Sequence, residues 1–229
     1  MGIDLARVTE EHPSVQYIAP FAVFLILLAL GETLSLDSAW GAPARVLILG
    51  TVCILCWPRE LSARPAKPAS SILVGALVFA IWIAPDLLIP GYRSNPLFSN
   101  SIIGHVHSSL RPDALHSPWL LTWRTIRAVI IVPVVEELFW RAWLMRWLIA
   151  SDFRRIPLGT YSPLAFWITA LLFASEHGPY WDVGLVTGVI YNLWMIRTKS
   201  IGSCILMHAV SNGLLSAYVI WSSQWQYWQ

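Results

Sequence analysis

The chain has 229 residues, of which 56% are hydrophobic and only 12% are charged. A soluble domain carries about 25% charged residues, so this composition argues against a soluble domain and indicates a membrane protein. The net charge of +2 at pH 7 is too small to suggest a protein that binds nucleic acid.

Long apolar runs predict membrane-spanning helices, because about 20 apolar residues in a helix cross the hydrocarbon core of a bilayer. Seven spans are predicted, separated by segments that carry prolines, glycines and charges. Their approximate limits, in chain order, are 17–34, 44–57, 71–89, 128–150, 163–177, 182–196 and 201–221. Residues 119–127 would either extend the fourth span or form an interfacial helix. In the sixth span, Gly184 and Gly188 have the small-xxx-small spacing that allows close approach of two helices.

The distribution of positive residues predicts the orientation of these spans. With the N-terminus inside, nine Lys and Arg residues fall in inner segments and five in outer segments. Because positive residues are enriched on the cytoplasmic side, the N-terminus is predicted inside and the C-terminus outside. We see no internal repeat, so residues 1–229 are predicted to form a single integral-membrane domain with an all-α, polytopic helix bundle. Cys53, Cys56 and Cys204 lie in apolar runs and are interpreted as inert buried thiols.

The fourth span contains the charged residues Glu136, Glu137 and Arg141. Each charge in the middle of a span costs roughly 2.5 to 3.5 kcal/mol on insertion scales, which indicates a function. Glu137 and Arg141 are four residues apart, so they share a helix face and can pair. Glu136 points about 100° away and lacks this partner. A carboxylate in a low-dielectric environment is more basic than in water and can act as a general base.

Two further polar pairs lie in later spans, each with a spacing of one helical turn. Phe173 is followed by His177, and His208 is followed by Asn212. The second pair projects an imidazole and an amide together, and adjacent donors are what an oxyanion hole requires. With a rise of 1.5 Å per residue, Glu136 and these three polar side chains can share one layer of a core about 30 Å thick.

The motifs EExxxR, FxxxH and HxxxN, in this order and in three different spans, resemble those of the CAAX-processing and bacteriocin-processing (CPBP, or Abi) family of intramembrane endopeptidases. Type II CAAX prenyl endopeptidases belong to that family, and the compact size is also similar to bacterial CAAX prenyl protease-related proteins. The resemblance covers about residues 120–221, the expected catalytic core. It implies that Glu136 and His177 activate water and that His208 and Asn212 stabilise the oxyanion. Glu137 and Arg141 would support the geometry.

Members of this family have been described both as metal-free glutamate proteases and as metalloproteases. If a divalent ion such as zinc is present, Glu136, His177 and His208 would be its ligands. The sequence lacks the zinc-binding motif HExxH. For three residues on three different helices, the spacing in the sequence cannot decide whether they bind a metal ion together. We therefore assign no cofactor from the sequence and favour the metal-free description.

The resemblance predicts an intramembrane endopeptidase that hydrolyses a peptide bond near the membrane in a CAAX-like or membrane-anchored protein. Its partners would be that substrate and the lipid bilayer, and its location the bacterial inner (plasma) membrane. One alternative is a non-catalytic membrane scaffold or regulatory/immunity protein with the same fold, in which the polar pairs are only structural. Another is a transporter that relays protons, although the two similar halves common in transporters are not found. Glu176 and Asp182 are predicted to be solvated.

Overall fold

The computed structural model describes residues 9, 11–101, 103–108 and 114–228, and this part of the chain is all-α. Its only β-type pairing is an isolated bridge between Asn100 and Gly104. The helices, in chain order, are α1 (Val15–Ala29), α2 (Gly41–Cys56), α3 (Pro68–Leu88), α4 (118–147), α5 (Pro163–Ser175), α6 (Trp181–Thr198) and α7 (Ile201–Ser222). Short 3₁₀ turns lie at Tyr92–Ser94, Ala114–His116, Phe153–Arg155, Gly178–Tyr180 and Trp225–Tyr227.

The predicted all-α fold is confirmed, and each predicted span coincides with one helix of the described part of the chain. The largest difference is at the start of α4, which begins at residue 118 rather than at 128. Helix α1 stops at Ala29 rather than at residue 34, because the chain then enters a series of turns. Helices α3 and α7, with 21 and 22 residues, are each long and apolar enough to cross a membrane. These features are consistent with a helical membrane protein, whereas the number of spans and their orientation stay predictions.

The outer faces of the helices are apolar. Ile54 on α2, Leu73 on α3 and Leu164 on α5 are between 64% and 78% exposed. Many exposed large apolar side chains are uncommon on soluble monomers, where such surface marks contact with lipid or with a partner. This surface agrees with the membrane character that the composition indicates.

Helix α4 is continuous but contains two π-helical segments. It consists of α-helical Pro118–Ile126, π-helical Arg127–Ile131, α-helical Val132–Glu137, π-helical Leu138–Leu144 and α-helical Met145–Trp147. Residues 119–127 therefore extend the fourth helix. Single π turns inside α-helices are frequent at functional sites, and the two turns here lie directly before and after the segment that contains Glu136 and Glu137.

Small residues bring pairs of helices into close contact. A Cβ atom on Gly75 of α3 would lie 2.8 Å from the Cβ atom of Val210 on α7, which is closer than packed side chains allow. On α6, a Cβ atom on Gly188 would lie 3.2 Å from the Cα atom of Ala170 on α5, and one on Gly184 would lie 3.2 Å from the His177 ring. The close approach predicted from the glycine spacing is thus present, and Gly184 provides the space that the His177 ring occupies.

Candidate active site

The four side chains predicted to be catalytic, Glu136, His177, His208 and Asn212, all line one cavity of about 480 Å³. They come from α4, from the turn after α5 and from α7. Helices α1, α3 and α6 contribute further wall residues. The structure therefore brings together residues that are up to 76 positions apart in the sequence.

Glu137 connects α4 to α7 through hydrogen bonds inside the protein. Its Oε1 atom accepts from Arg141 Nη1 at 3.3 Å and lies 2.9 Å from His208 Nδ1. Glu137 and Arg141 are both 0% exposed. The predicted Glu137–Arg141 pair is present, and the contact with His208 holds one of the cavity side chains in place.

Groups from α5 and α6 also contact Arg141. Its Nε atom donates to Asn192 Oδ1 at 3.2 Å, and Asn192 Nδ2 donates to the carbonyl oxygen of Phe166 at 2.9 Å. The guanidinium also lies over the rings of Phe173 and Tyr191, 4.4 and 5.1 Å from their centroids. Sequence reasoning missed Asn192, although a polar amide within an apolar span was a signal that could have identified it.

Glu136 is the member of the acidic pair that faces the cavity. It is 9% exposed, and its Oε2 atom has no hydrogen-bond partner among the described residues. A buried carboxylate oxygen without a protein partner is costly unless it receives a proton or binds a ligand or water. The two adjacent glutamates thus have different environments, one within the protein network and one open to the cavity.

The hydrogen bond of His177 defines which nitrogen of its ring carries a proton. His177 Nδ1 lies 2.7 Å from the carbonyl oxygen of Phe173. Because a carbonyl oxygen can only accept, Nδ1 must donate, which leaves Nε2 of the neutral ring as an acceptor. The ring is held between Phe173 and Trp82, with centroid distances of 4.7 and 5.2 Å. The FxxxH spacing therefore orients the histidine through the carbonyl and the ring of Phe173.

His208 and Asn212 lie one turn apart on α7, and other helices orient both side chains. His208 Nδ1 donates to the Glu137 carboxylate, and the His208 ring lies 4.9 Å from that of Tyr191. Asn212 Nδ2 donates to the carbonyl oxygen of Ala128 at 2.9 Å. An amide nitrogen carries two hydrogens, so one N–H of Asn212 is still able to donate to a ligand in the cavity.

The predictions for the two acids near the turn after α5 have different outcomes. Glu176 is exposed, as predicted, and it also lines the cavity together with Glu136, which sequence reasoning missed. The prediction of a solvated Asp182 was wrong. Its Oδ1 atom lies 2.5 Å from Arg93 Nη1, and its side chain is only 17% exposed. The segment 89–98 places Arg93 beside α6, and helix patterns alone do not specify that position.

Two arginines from the N-terminal part of α4, Arg124 and Arg127, also line the cavity. Arg124, Ala128, Val132 and Glu136 recur every four residues, and all four line the cavity. In a uniform α-helix with 3.6 residues per turn, such a series drifts by about 40° per step. The π turn Arg127–Ile131 contains more residues per turn and reduces this drift. It therefore contributes to keeping the four residues on one side of α4.

A structural or catalytic metal site needs at least three donor side chains directed at one point. Among the described residues, no group of three or more His, Cys, Asp or Glu side chains is arranged to hold a metal ion. Glu136, His177 and His208 line the same cavity without forming such a group, and the nearest carboxylate to His208 is that of Glu137. The arrangement does not fit the zinc site that the resemblance allows.

The fold and the site together define an all-α protein of membrane character with a cavity that holds glutamate, histidine and asparagine side chains. Residues 118–214 match the family model described as Rce1-like, type II CAAX prenyl endopeptidase Rce1-like, and this match agrees with the family that the motifs resemble. The family consists of membrane proteases, and the matched segment contains all seven specified residues of the EExxxR, FxxxH and HxxxN motifs. No curated protein and no solved structure matches the chain significantly.

Proposed function

We propose that this protein is an intramembrane endopeptidase of the glutamate type, which hydrolyses a peptide bond near the membrane in a CAAX-like or membrane-anchored protein. The observation that carries the proposal is the convergence of Glu136, His177, His208 and Asn212 on one cavity. Residues 1–229 would form one domain with seven spans, N-terminus inside and C-terminus outside, in a bacterial inner membrane. Residues 120–221 would form the catalytic core.

The first chemical step is the activation of water by Glu136 and His177. Glu136 lines the cavity, and no hydrogen bond within the described residues occupies its Oε2 atom, so the carboxylate can take a proton from water. His177 Nε2, left as an acceptor by the hydrogen bond at Nδ1, accepts a second hydrogen bond and orients the water. The water oxygen then forms a bond with the carbonyl carbon of the substrate.

The second step is the stabilisation and collapse of the tetrahedral intermediate. The free N–H of Asn212 and Nε2–H of His208 in its protonated form donate to the oxyanion. The Glu137 carboxylate, 2.9 Å from His208 Nδ1, is the counter-ion of that imidazolium, and Arg141 holds Glu137 in position. When the C–N bond breaks, Glu136 returns its proton to the leaving amine, so that peptide and water become a carboxylic acid and an amine.

The wall of the cavity supports a substrate that is partly apolar. Phe24 and Leu28 of α1, Val78 and Phe79 of α3, and Leu215 of α7 line it. Burial of apolar surface contributes about 25 cal/mol per Å², so this wall favours a lipid-anchored or apolar peptide segment. It also limits water in the cavity, which strengthens the polar interactions there.

The test is the cleavage of a fluorogenic, membrane-anchored peptide by the purified full chain, with Glu136→Gln as the variant. General base catalysis contributes 10²- to 10⁴-fold, so kcat is expected to fall by at least about 100-fold while the unfolding temperature changes little. Glu32→Gln, which alters an exposed glutamate, is the matched control and should leave kcat unchanged. A chelator should change the rate by less than about twofold, since no step needs a metal.

A folded Glu136→Gln protein that cleaves at the wild-type rate would remove the basis of the peptidase proposal. If neither protein cleaves any peptide, yet both support the same biological activity in cells, the protein is instead a membrane scaffold or regulatory/immunity protein.

A further inference from the structure

The charged side chains of the cavity are separated along its length. Among the described residues that line it, the carboxylates are Glu136 and Glu176, and the permanent cations are Arg124 and Arg127. Glu136 lies nine residues after Arg127 and twelve after Arg124 on the continuous helix α4. At 1.5 Å per residue these separations are about 13 and 18 Å along the helix axis. The cavity therefore has an acidic catalytic end and a basic end.

The basic end is a defined part of the structure rather than a pair of solvated surface arginines. The Arg124 guanidinium lies 5.2 Å from the centroid of the Trp228 ring. Arg124 and Arg127 also line a small adjoining pocket together with Asp37, and Asp37 pairs with Arg45 at 3.3 Å. Both arginine side chains are partly buried, so their positions are restricted before any ligand binds.

The chemistry of this end favours a carboxylate. Guanidinium groups bind carboxylates in a planar, often bidentate geometry, and such charge-assisted bonds are about twice as strong as neutral ones. Apolar side chains such as Phe24, Leu28 and Phe79 line the same cavity, and an apolar environment of lower dielectric constant strengthens the attraction between opposite charges.

We propose that Arg124 and Arg127 form a subsite that binds a carboxylate of the substrate and thereby positions the scissile bond at Glu136. An extended peptide advances about 3.3 Å per residue, so the carboxylate would lie about four to five residues from the bond that is cleaved. The substrate class is then a peptide with an apolar anchored segment and a carboxylate, either of its C-terminus or of an acidic side chain. The positioning role rests on the proposed peptidase function, whereas carboxylate binding can be measured without it.

The experiment measures binding of fluorescein-labelled apolar peptides to the full chain in nanodiscs of neutral lipid by fluorescence anisotropy. The Glu136→Gln background prevents cleavage. One peptide has a free C-terminal carboxylate, one has a C-terminal amide, and a third has the amide together with one aspartate near its end. Arg127→Gln is the variant, Arg127→Lys keeps the charge, and Arg154→Gln, at an exposed loop position, is the matched control.

We expect the peptide with the free C-terminal carboxylate to bind at least about tenfold more tightly than the peptide with the C-terminal amide, because one charge-assisted hydrogen bond contributes enough free energy for such a difference in affinity. Arg127→Gln should weaken binding of the acid by about tenfold and leave the amide unchanged, whereas Arg127→Lys should retain part of the preference and Arg154→Gln all of it. Tight binding of the aspartate peptide would identify a side-chain carboxylate as an equal ligand, and weak binding would identify the terminal carboxylate. The same peptides are then offered to the wild-type chain for cleavage.

Equal affinity for acid and amide would overturn the subsite, as would an Arg127→Gln variant that weakens both peptides to the same extent. If Arg127→Gln does not fold, the acid-to-amide ratio of Arg127→Lys and of Arg124→Gln decides the question in the same way. Selective binding of the acid without cleavage by the wild-type chain would disprove the peptidase proposal and leave the subsite intact. Cleavage by the wild-type chain without any preference for the free acid would disprove the subsite and leave the peptidase proposal intact.

Discussion

Replacement of Arg141 by leucine is expected to lower the free energy of unfolding by about 3–5 kcal/mol, the usual cost of breaking a buried ion pair. Arg141 is 0% exposed, pairs with Glu137 at 3.3 Å and donates to Asn192 at 3.2 Å. Its removal leaves the Glu137 carboxylate without its cation and the Asn192 oxygen without this donor. A chain of this size loses roughly 2–4 °C of midpoint temperature per kcal/mol, so the unfolding midpoint should fall by about 10 °C.

Two further variants distinguish the effect of breaking the ion pair on stability from the effect of lost packing. The double variant Glu137→Leu/Arg141→Leu should recover at least half of the loss, because an apolar pair of similar volume often replaces a buried ion pair without a net cost. Arg155→Leu removes an ion pair with Asp152 in which the arginine side chain is 85% exposed. Such exposed pairs contribute at most about 1 kcal/mol, so this control should change the midpoint by only a few degrees.

The assay is thermal unfolding of the purified full chain in detergent, followed by the fluorescence of its fourteen tryptophans. The reasoning is refuted if Arg141→Leu shifts the midpoint no more than Arg155→Leu does. It is also refuted if the Glu137→Leu/Arg141→Leu variant is as unstable as the sum of its two single replacements, because a coupled pair must give less than the sum.

Three other predictions use the same preparation or cells. Gly75→Ala should destabilise the fold by about 1–3 kcal/mol, since the new Cβ atom would lie 2.8 Å from the Cβ atom of Val210. In the control Gly50→Ala, the nearest neighbour of the new Cβ atom would be at 3.8 Å, so this variant should be neutral or slightly stabilising. Equal effects of the two variants would contradict the close packing of α3 and α7. Tyr227→Phe should cost about 1 kcal/mol by removing a 3.0 Å hydrogen bond to Asp86. Burial and Asp86 raise the pKa of Tyr227 above its ordinary value, so this contribution is complete below about pH 10 and is lost as the pH rises further, where wild type and variant should converge. Reporter fusions should place the N-terminus inside and the C-terminus outside; both ends on one side would require a different number of spans.

Several parts of the site could be read from the sequence because they depend on local spacing. The Glu137–Arg141 pair follows from a separation of four residues on one helix, and the hydrogen bond of His177 to the Phe173 carbonyl has the same origin. The position of His208 one turn before Asn212 is likewise a property of one helix. These local relations, together with the order of the three motifs, were sufficient to predict a resemblance to the family whose model matches residues 118–214.

Other features depend on contacts between distant segments and were not predictable. The Glu137–His208 hydrogen bond joins residues 71 positions apart, and the Arg141–Asn192 bond joins residues 51 apart. The pairing of Asp182 with Arg93 depends on where a loop packs, and the cavity positions of Arg124 and Glu136 depend on the winding of α4.

The sequence by itself determined that this chain is helical, where its seven described helices lie, and which side chains are costly to bury. Run length, helical spacing and charge are properties of neighbouring residues, so they can be read without coordinates. Only the tertiary structure decided that Glu137 contacts His208 and that Glu136 shares a cavity with His177, with two arginines at the other end of that cavity. Those assignments depend on which helices pack against α4 and on its π turns, and no local pattern specifies either.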